Sequence, residues 1–259
     1  TTHSCCAVYH AETQRFEMIT LHDKETTPSV VRFTGRVSVG RLAELQSTGS
    51  LVYDAKRVIG RGYDAWMAEA FRGADFRVLN RDDRPMLLVD GAELFPEEIG
   101  GFLLGALCAQ AERQLGAPAT KAVITVPAHF NNEQRRATER AGRLAGLEVL
   151  LTINEPTAAA LGYGCAAAPG AEQTLVVFDF GGGTFDVSVV RLRDATVTVV
   201  ASDGDDRLGG RDIDAALARL VLRKYAAEVE GTEPGLVALP PEALAQVERA
   251  CEQAKVQLS

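Results

Sequence analysis

The sequence lacks the usual marks of a secreted, zinc-binding or membrane protein. Its five cysteines are an odd number, none has the CxxC spacing, and two of them are adjacent. A disulfide framework and a cysteine zinc site are therefore excluded, and a reducing compartment is the simpler interpretation. No run of about eighteen apolar residues occurs, so no membrane span is predicted, and no signal peptide is visible.

Several common binding and catalytic motifs are also missing. The phosphate loop G-x-x-x-x-G-K-[ST] and the dinucleotide motif G-x-G-x-x-G do not occur, so a nucleotide site needs another architecture. The four histidines are scattered without ligand spacing, which argues against a histidine metal centre. No G-x-S-x-G elbow supports a serine hydrolase. The net charge is −8 and no basic patch is present, which argues against a nucleic-acid surface.

What the chain does have is the composition of a globular protein. Apolar residues make up 46% and charged residues 24% of its 259 residues, enough for one large domain or two smaller lobes with a sizeable core. Strand-like and helix-like segments alternate, and hairpins make part of the sheet antiparallel. This pattern indicates the α/β class.

Local signals predict several elements. Pro96 suits the first turn of a helix that Gly116 closes, and Asn131 is placed to cap another helix. The apolar runs Lys121–Val126 and Thr174–Phe180 are predicted to be buried strands. Further predictions are strands at 4–9, 15–21, 30–33, 76–79, 85–89, 149–153 and 197–201, helices at 157–163, 212–228 and from 241, and a linker at 166–172.

The segment Thr174–Leu192 is the one around which the chain is organised. Three glycines at 181–183 separate an apolar strand from a second strand that begins at Thr184. Glycine has no Cβ, so the amides of such a turn can approach an anion closely, and phosphate is the usual ligand. The flanking Asp179 and Asp186 would repel bare phosphate but would hold Mg²⁺. The segment favours a loop for a Mg-nucleotide, with a hairpin that needs glycine only for its tight turn as the alternative.

The stretch FDFGGGTFDVS at 178–188 resembles the phosphate hairpin of the seventy-kilodalton heat-shock chaperones of the DnaK type. Other segments resemble that family in the family's order. They are TTPSVVRF at 26–33, YDAKRVIGR at 53–61, VITVPAHFNNEQRRAT at 123–138, INEPTAAALGYG at 153–164 and LGGRDID at 208–214. The resemblance runs from Thr1 to Ser259 but covers only part of the family's ATPase domain.

The resemblance implies a fold and a domain organisation. The fold would be the two-lobed, actin-like (ribonuclease H-like) ATPase, incomplete at both ends, with nucleotide between the lobes. Lobe I would take residues 1–168, with an outer subdomain at about 27–95, and residues 169–259 would be the first part of lobe II. The family's peptide-binding domain is absent from this chain.

The resemblance also assigns roles to single residues. Lys56 would face the γ-phosphate and the attacking water, and Glu155 would organise the metal and its water shell. Asp179 and Asp186 would order Mg²⁺, mainly through water, and Thr184 would complete the catalytic set. Nucleotide contacts are expected from Thr1, Thr2, Gly181, Gly182, Gly183, Thr184, Gly209, Gly210, Glu252, Lys255 and Ser259.

Taken singly, these residues have ordinary interpretations. Lys56 would be a solvated surface lysine, and Glu155 would favour a helix N-terminus. Pro127 would end a strand, whereas the resemblance places it with Arg135 in the switch that reports nucleotide state to the peptide-binding domain. His129 and the cysteines are expected to be structural.

Departures from the family pattern stand out at three places, which are the N-terminal end, the C-terminal end and residues 40–51. The strand and Gly-x-Asp-x-Gly that precede the Thr-Thr pair are missing, and the chain stops before the adenosine-binding Gly-Gly segment. Val256 stands where the family usually has an arginine, and residues 40–51 are a few positions shorter. Because the missing strand is central to the first lobe, we expect the native protein to extend further.

The leading hypothesis is the ATP-binding and ATP-hydrolysing domain of a stress-response chaperone that assists folding by nucleotide-gated peptide binding. ATP/ADP and Mg²⁺ would be its cofactors, with K⁺ as a further candidate. A J-domain co-chaperone, a nucleotide-exchange factor and unfolded client peptides would be its partners, without nucleic acid or membrane. The expected location is cytoplasmic, although an upstream targeting segment could be missing. The alternatives are a truncated or degenerate paralogue that acts as a binding or regulatory module, and a sugar kinase of the actin-like fold.

Overall fold

The computed structural model describes residues 2–10, 12–164, 172–193, 196–230 and 240–258. Most of the predicted linker at 166–172, and the predicted nucleotide contacts Thr1 and Ser259, lie outside these residues. The chain forms two compact units, one of Thr1–Asp179 with Asp186–Gly204 and the other of Phe180–Phe185 with Asp205–Ser259. The lobe boundary at residue 168 stays a prediction.

Short antiparallel strands make up most of the N-terminal part. They are β1 (His3–Ser4), β2 (Cys6–His10), β3 (Arg15–Ile19), β4 (Thr27–Pro28), β5 (Val31–Phe33), β6 (Val37–Val39), β7 (Ser50–Val52), β8 (Arg77–Arg81), β9 (Arg84–Val89) and β10 (Ala92–Leu94). β1 pairs with β4, and β2 pairs with β3. β5 lies between β6 and β7, and β9 lies between β8 and β10.

The later strands carry the predicted site residues. They are β11 (Lys121–Val126), β12 (Glu148–Asn154), β13 (Gln173–Phe180), β14 (Phe185–Arg193) and β15 (Thr196–Asp205). β11 and β12 run parallel, which requires the helical crossover that joins them. β14 lies between β13 and β15 in a three-stranded sheet.

The helices fall between these strands and at the C-terminal end. They are α1 (Arg41–Leu45), α2 (Ala65–Ala70), α3 (Pro96–Leu115), α4 (Asn132–Leu144), α5 (Glu155–Gly164), α6 (Gly210–Tyr225) and α7 (Pro241–Leu258), with a 3₁₀ turn at Ala55–Arg57 and a π-helical turn at Ala226–Glu230. In the part of the chain that is described, no helix is both long enough and apolar enough to cross a membrane.

The predicted boundaries of two helices are confirmed. Pro96 is the first residue of α3, and Gly116 ends that helix in the left-handed conformation with φ 65°, its N–H donating to the carbonyl of Glu112 at 2.9 Å. Asn131 caps α4: its Oδ1 accepts from the N–H of Gln134 at 3.0 Å, and Oε1 of Gln134 accepts from the N–H of Asn131 at 3.0 Å. These reciprocal bonds satisfy two donors that a helix start leaves unpaired.

The largest core belongs to the first unit. It is formed by strands β5, β7, β8 and β9, helices α2 and α3 and the turn after β7. Its buried members are Val31, Val52, Val58, Met67, Phe71, Phe76, Val78, Leu87, Val89 and Ile99. A smaller cluster of Ile59, Val126, Phe130 and Ala137 joins β11 to α4.

Two strands predicted to be buried are half-exposed, so that prediction was wrong. Val123 in β11 exposes 52% of its surface and Phe178 in β13 exposes 68%. Gly142 of α4 faces the side chains of Ile124 and Val149, so α4 covers one face of the β11–β12 pair. Burial therefore alternates along β11, and apolar composition alone does not distinguish a strand covered on one face from a strand covered on both.

Candidate functional site

The first unit brings Lys56 and Glu155 together. Lys56 lies in the 3₁₀ turn before Val58, and Glu155 opens α5 directly after β12. Nζ of Lys56 contacts Oε1 of Glu155 at 2.5 Å, and the two side chains are 30% and 22% exposed. Lys56 is therefore held in an ion pair and is not an isolated surface lysine.

A close backbone approach positions the turn that carries Lys56. Gly60 has φ +63°, and a Cβ at this position would lie only 2.5 Å from Cα of Gln134 in the first turn of α4. Glycine meets both requirements because it accepts positive φ and has no side chain. The turn thus lies directly against α4.

Asp179 and Asp186 add two more carboxylates to this part of the first unit. Asp179 is an exposed residue, but partial burial of its carboxyl raises its pKa, the charges of Glu155 and Asp186 raise that pKa further, and Lys56 lowers it. Lys56 is paired with Glu155, and Asp179 interacts electrostatically with Lys56, Glu155 and Asp186. One lysine against three carboxylates leaves a surplus of negative charge.

Asp186 is the most buried of these carboxylates, with a side chain 5% exposed. Its Oδ1 lies 2.7 Å from Nδ1 of His129. Its Oδ2 is buried and has no hydrogen-bond partner among the described residues. A buried carboxylate oxygen without a partner is costly, and a cation with its water shell would satisfy it.

His129 was expected to be structural, and its ring lies against the Asp186 carboxylate. The residue lies in the loop that follows β11, three positions past the end of the strand. In open α/β sheets, ligands bind beyond the carboxyl ends of parallel strands. That position was the available signal, and the partner of His129, 57 positions away, was not visible in the sequence.

Arg135 stabilises the same loop through hydrogen bonds. Its Nε donates to the carbonyl of Phe130 at 3.1 Å, and its Nη2 donates to the carbonyl of Ala128 at 3.3 Å and to Oδ1 of Asn154 at 2.7 Å. Pro127 is fully buried at the start of the loop. Arg135 therefore links this loop to the residue that precedes Glu155, while its role with Pro127 as a switch stays a prediction.

The second unit contains the glycine turn. The N–H of Gly181 donates to the carbonyl of Thr184 at 3.0 Å, which closes the turn. The carbonyl of Gly181 accepts from the N–H of Gly210 at 3.0 Å, and the carbonyl of Gly182 accepts from the N–H of Arg211 at 2.9 Å. In a trans peptide the C=O and the following N–H point in opposite directions. The amides of the second and third glycines therefore point away from α6, as an anion site requires.

The predicted residue Gly209 touches the turn directly. A Cβ at Gly209 would lie 2.4 Å from the nitrogen of Gly183 and 2.5 Å from the carbonyl of Gly182. Lys255 of α7 binds the other side of this segment, since its Nζ donates to the carbonyl of Gly210 at 3.1 Å and to Oδ2 of Asp214 at 2.8 Å. The structure thus gathers Gly181–Thr184, Gly209, Gly210 and Lys255 within one unit.

Two other predicted nucleotide contacts, Thr2 and Glu252, belong to the first and the second unit respectively. The carbonyl of Thr2 accepts from the N–H of Ser29 at 2.8 Å, and Glu252 is exposed on α7. Their roles stay predictions.

The residues fit a magnesium ion held through its water shell. Across the described parts of the chain, no three His, Cys, Asp or Glu side chains could hold a metal directly. Asp186 nevertheless offers a buried oxygen without a partner among the described residues, and partial burial, together with the charges of Glu155 and Asp186, raises the pKa of Asp179. Mg²⁺ often keeps several waters and binds through one or two carboxylates.

A surface groove of about 460 Å³ is present in the first unit. It is lined by Glu172, Arg191, Arg193, Thr196 and Thr198. None of the five is a predicted site residue, so the groove does not bear on the site described above.

Comparison with known proteins identifies the family. A family model described as Hsp70 protein matches residues 1–259. The chaperone protein DnaK of Anaplasma marginale (strain St. Maries) is 41% identical over 263 residues, covering 100% of this chain and 40% of the relative. A chaperone protein DnaK of Thermus thermophilus is 42% identical over 240 residues, covering 91% and 38%. The heat shock cognate HSP70 protein of Trypanosoma brucei brucei is 41% identical over 271 residues, covering 100% and 39%.

The chain belongs to the Hsp70 family, because the family match extends over its whole length. The mixed α/β structure is consistent with that family. The chain spans about 40% of the length of these curated relatives.

Proposed function

We propose that this chain binds Mg-ATP and forms part of the ATP-hydrolysing domain of a chaperone. The observation that carries the proposal is the glycine turn, in which two successive amides point away from α6 and two carboxylates flank the turn in the chain. One of these carboxylates, Asp186, has a buried oxygen that finds no partner among the residues that the structure describes. Amides that bind phosphate next to carboxylates that bind a hydrated cation are the two parts that a Mg-nucleotide needs.

Each polar group then has a defined task. The turn Gly181–Thr184 binds phosphate oxygens, and Asp179 and Asp186 hold Mg²⁺ through water. Mg²⁺, when bound, would neutralise part of the negative charge of the phosphates. Lys56, paired with Glu155, places a positive charge for the transferred phosphoryl group and the attacking water. Phosphoryl transfer depends mainly on such positioning and charge neutralisation.

The wider function is proposed for the parent protein. The relatives are named as chaperones and heat shock proteins, and we infer that the parent couples ATP hydrolysis to the binding of unfolded client peptides. A J-domain co-chaperone and a nucleotide-exchange factor would act on it, and K⁺ is a candidate second cation. The free cysteines Cys5, Cys6, Cys108 and Cys251 support a reducing, cytoplasmic location.

Titration calorimetry with Mg-ATP tests the proposal. The wild-type chain is expected to bind saturably, Asp179→Asn to lose most of the affinity, and the exposed Asp203→Asn to bind like the wild type. Absence of binding by a folded wild-type sample would contradict the proposal for this chain and favour the non-catalytic paralogue. Phosphorylation of a small sugar would favour the kinase.

Stimulation of ATP turnover tests the chaperone assignment separately. A J-domain protein together with an unfolded peptide is expected to raise the turnover of the parent protein. Nucleotide binding without any such stimulation would still support the proposed nucleotide site, but it would contradict the proposed chaperone function.

A further inference from the structure

We propose that His129 is a positioning residue that holds the Asp186 carboxylate in the orientation that the hydrated Mg²⁺ ion requires. The proposal rests on the proposed function, since it assigns a further residue to the same nucleotide site. His129 is a side chain that the sequence interpretation left as structural. Its geometry gives it a more specific role.

A hydrogen bond joins the side chains of His129 and Asp186. Nδ1 of His129 lies 2.7 Å from Oδ1 of Asp186, and the Asp186 side chain is 5% exposed. An ionised carboxylate only accepts hydrogen bonds, so Nδ1 of the ring carries the proton. A hydrogen bond to an ionised acceptor is short and about twice as strong as a neutral one.

The other oxygen of the Asp186 carboxylate is left for a different partner. Oδ2 of Asp186 is buried and has no hydrogen-bond partner within the described residues. With Oδ1 bound to His129, rotation of the carboxylate would break that bond, so the direction of Oδ2 is set as well. His129 thus leaves one oxygen of Asp186 available for the water shell of the cation.

The imidazole of His129 is itself held in place by its neighbours. Arg135 donates to the carbonyls of Ala128 and Phe130, the residues on either side of His129. The ring of Phe130 packs edge-on against the imidazole with centroids 5.9 Å apart, and Phe130 belongs to the buried cluster that joins β11 to α4. A ring whose neighbouring backbone is fixed by Arg135 and that packs against Phe130 orients its partner reproducibly.

The test compares two substitutions of His129. In His129→Asn the side-chain amide nitrogen can take the place of Nδ1 and keep the donor, whereas His129→Leu removes it. The matched control is His10, whose Nε2 contacts Oε2 of Glu17 at 2.8 Å in a half-exposed pair. His10→Gln, whose amide nitrogen can take the place of Nε2, and His10→Leu make the corresponding changes outside the site.

The first readout uses the ligand-free chain. Nitrogen NMR of the imidazole is expected to show the Nδ1–H tautomer for His129, and Asp186→Asn is expected to change that signal. A dominant Nε2–H tautomer in the wild-type chain would overturn the proposal, because Nδ1 would then have no proton to donate. This readout needs no nucleotide.

The second readout is the affinity for ADP measured calorimetrically with and without Mg²⁺. His129→Leu is expected to lose about 10- to 100-fold of the Mg²⁺-dependent affinity, the loss typical of a hydrogen bond to a charged group. The affinity of His129→Leu for ADP without Mg²⁺ should change little. The Mg²⁺-dependent affinity of His129→Asn should stay within severalfold of the wild-type value, and both His10 variants should bind Mg-ADP like the wild type. Thermal unfolding curves confirm that each variant is folded.

The two possible failures are distinguishable. If the wild type binds Mg-ADP and His129→Leu keeps the full Mg²⁺ dependence, the role of His129 is overturned and the proposed function stands. If the folded wild-type chain does not bind Mg-ADP, the proposed function is overturned and the role of His129 at that site with it.

Discussion

Lys56 and Glu155 form an ion pair at 2.5 Å although 99 positions separate them in the chain. The pair joins the 3₁₀ turn Ala55–Arg57 to the start of α5. Both side chains are mostly buried, so their attraction is screened less than that of an exposed pair. Lys56 therefore compensates part of the negative charge that Glu155 adds beside Asp179.

Removal of Lys56 is expected to impair hydrolysis far more than binding. In a form of the protein that binds nucleotide, Lys56→Ala should lower the rate of ATP hydrolysis by about 10²- to 10³-fold, the usual effect of losing one transition-state electrostatic group. ATP affinity should fall much less. Lys121→Ala is the matched control, because Lys121 pairs with Glu148 at 4.0 Å on the surface. Full turnover by Lys56→Ala would show that the lysine has no part in the chemistry.

The raised pKa of Asp179 predicts how pH affects stability of the ligand-free chain. Because burial and the neighbouring carboxylates raise this pKa above its ordinary value of 3.8, the folded state favours the protonated form. The stability that this group contributes is therefore present below the ordinary pKa and is lost as pH rises through the raised pKa. Asp179→Asn, which is neutral at every pH, should raise the free energy of unfolding near neutral pH and give no gain at about pH 3.

Urea unfolding in the presence of EDTA, repeated across this pH range, measures the effect. Asp203→Asn serves as the control, since Asp203 is exposed in β15. A neutral-pH stability of Asp179→Asn below that of the wild type would contradict the prediction. Addition of Mg-ATP should reverse the order of the two proteins, because the cation favours the ionised carboxylate.

Gly209 should not tolerate even one added carbon. In Gly209→Ala the new Cβ would lie 2.4 to 2.5 Å from the backbone of Gly182 and Gly183, so the glycine turn or the start of α6 must shift. We expect loss of nucleotide binding in a chain that stays folded. Gly162→Ala is the control, because an added Cβ there meets nothing within 4 Å and alanine favours the helix. Wild-type Mg-ATP binding by Gly209→Ala in calorimetry would show that the turn does not contact phosphate.

Glu97 is expected to be important for stability. Its buried Oε1 accepts from Nη2 of Arg84 at 2.8 Å and from Nε of Arg140 at 3.2 Å, which ties α3 to β9 and α4. Glu97→Gln removes the charge at the centre of this bridge and should lower the free energy of unfolding by roughly 1.5 to 3 kcal/mol. Glu133→Gln, which alters an exposed pair with Arg136, should change it by less than about 0.5 kcal/mol. Equal effects of the two substitutions in urea unfolding would contradict this role of Glu97.

The sequence by itself determined the features that depend on short-range interactions. Pro96, Gly116 and Asn131 predicted helix ends correctly, because caps and breakers act within a few residues. The glycine turn and its flanking carboxylates were likewise visible as a contiguous segment. The motif order identified the Hsp70 family, which the match over the whole chain confirmed.

Only the tertiary structure decided which distant groups meet. The pairing of Lys56 with Glu155 and that of His129 with Asp186 span 99 and 57 positions, and no local pattern encodes either one. The half-exposed state of β11 was misjudged for the same reason, since Val123 depends on which helix covers each face of its sheet. Ion pairs, buried oxygens and burial are properties of packing between elements, and packing is set by the whole fold.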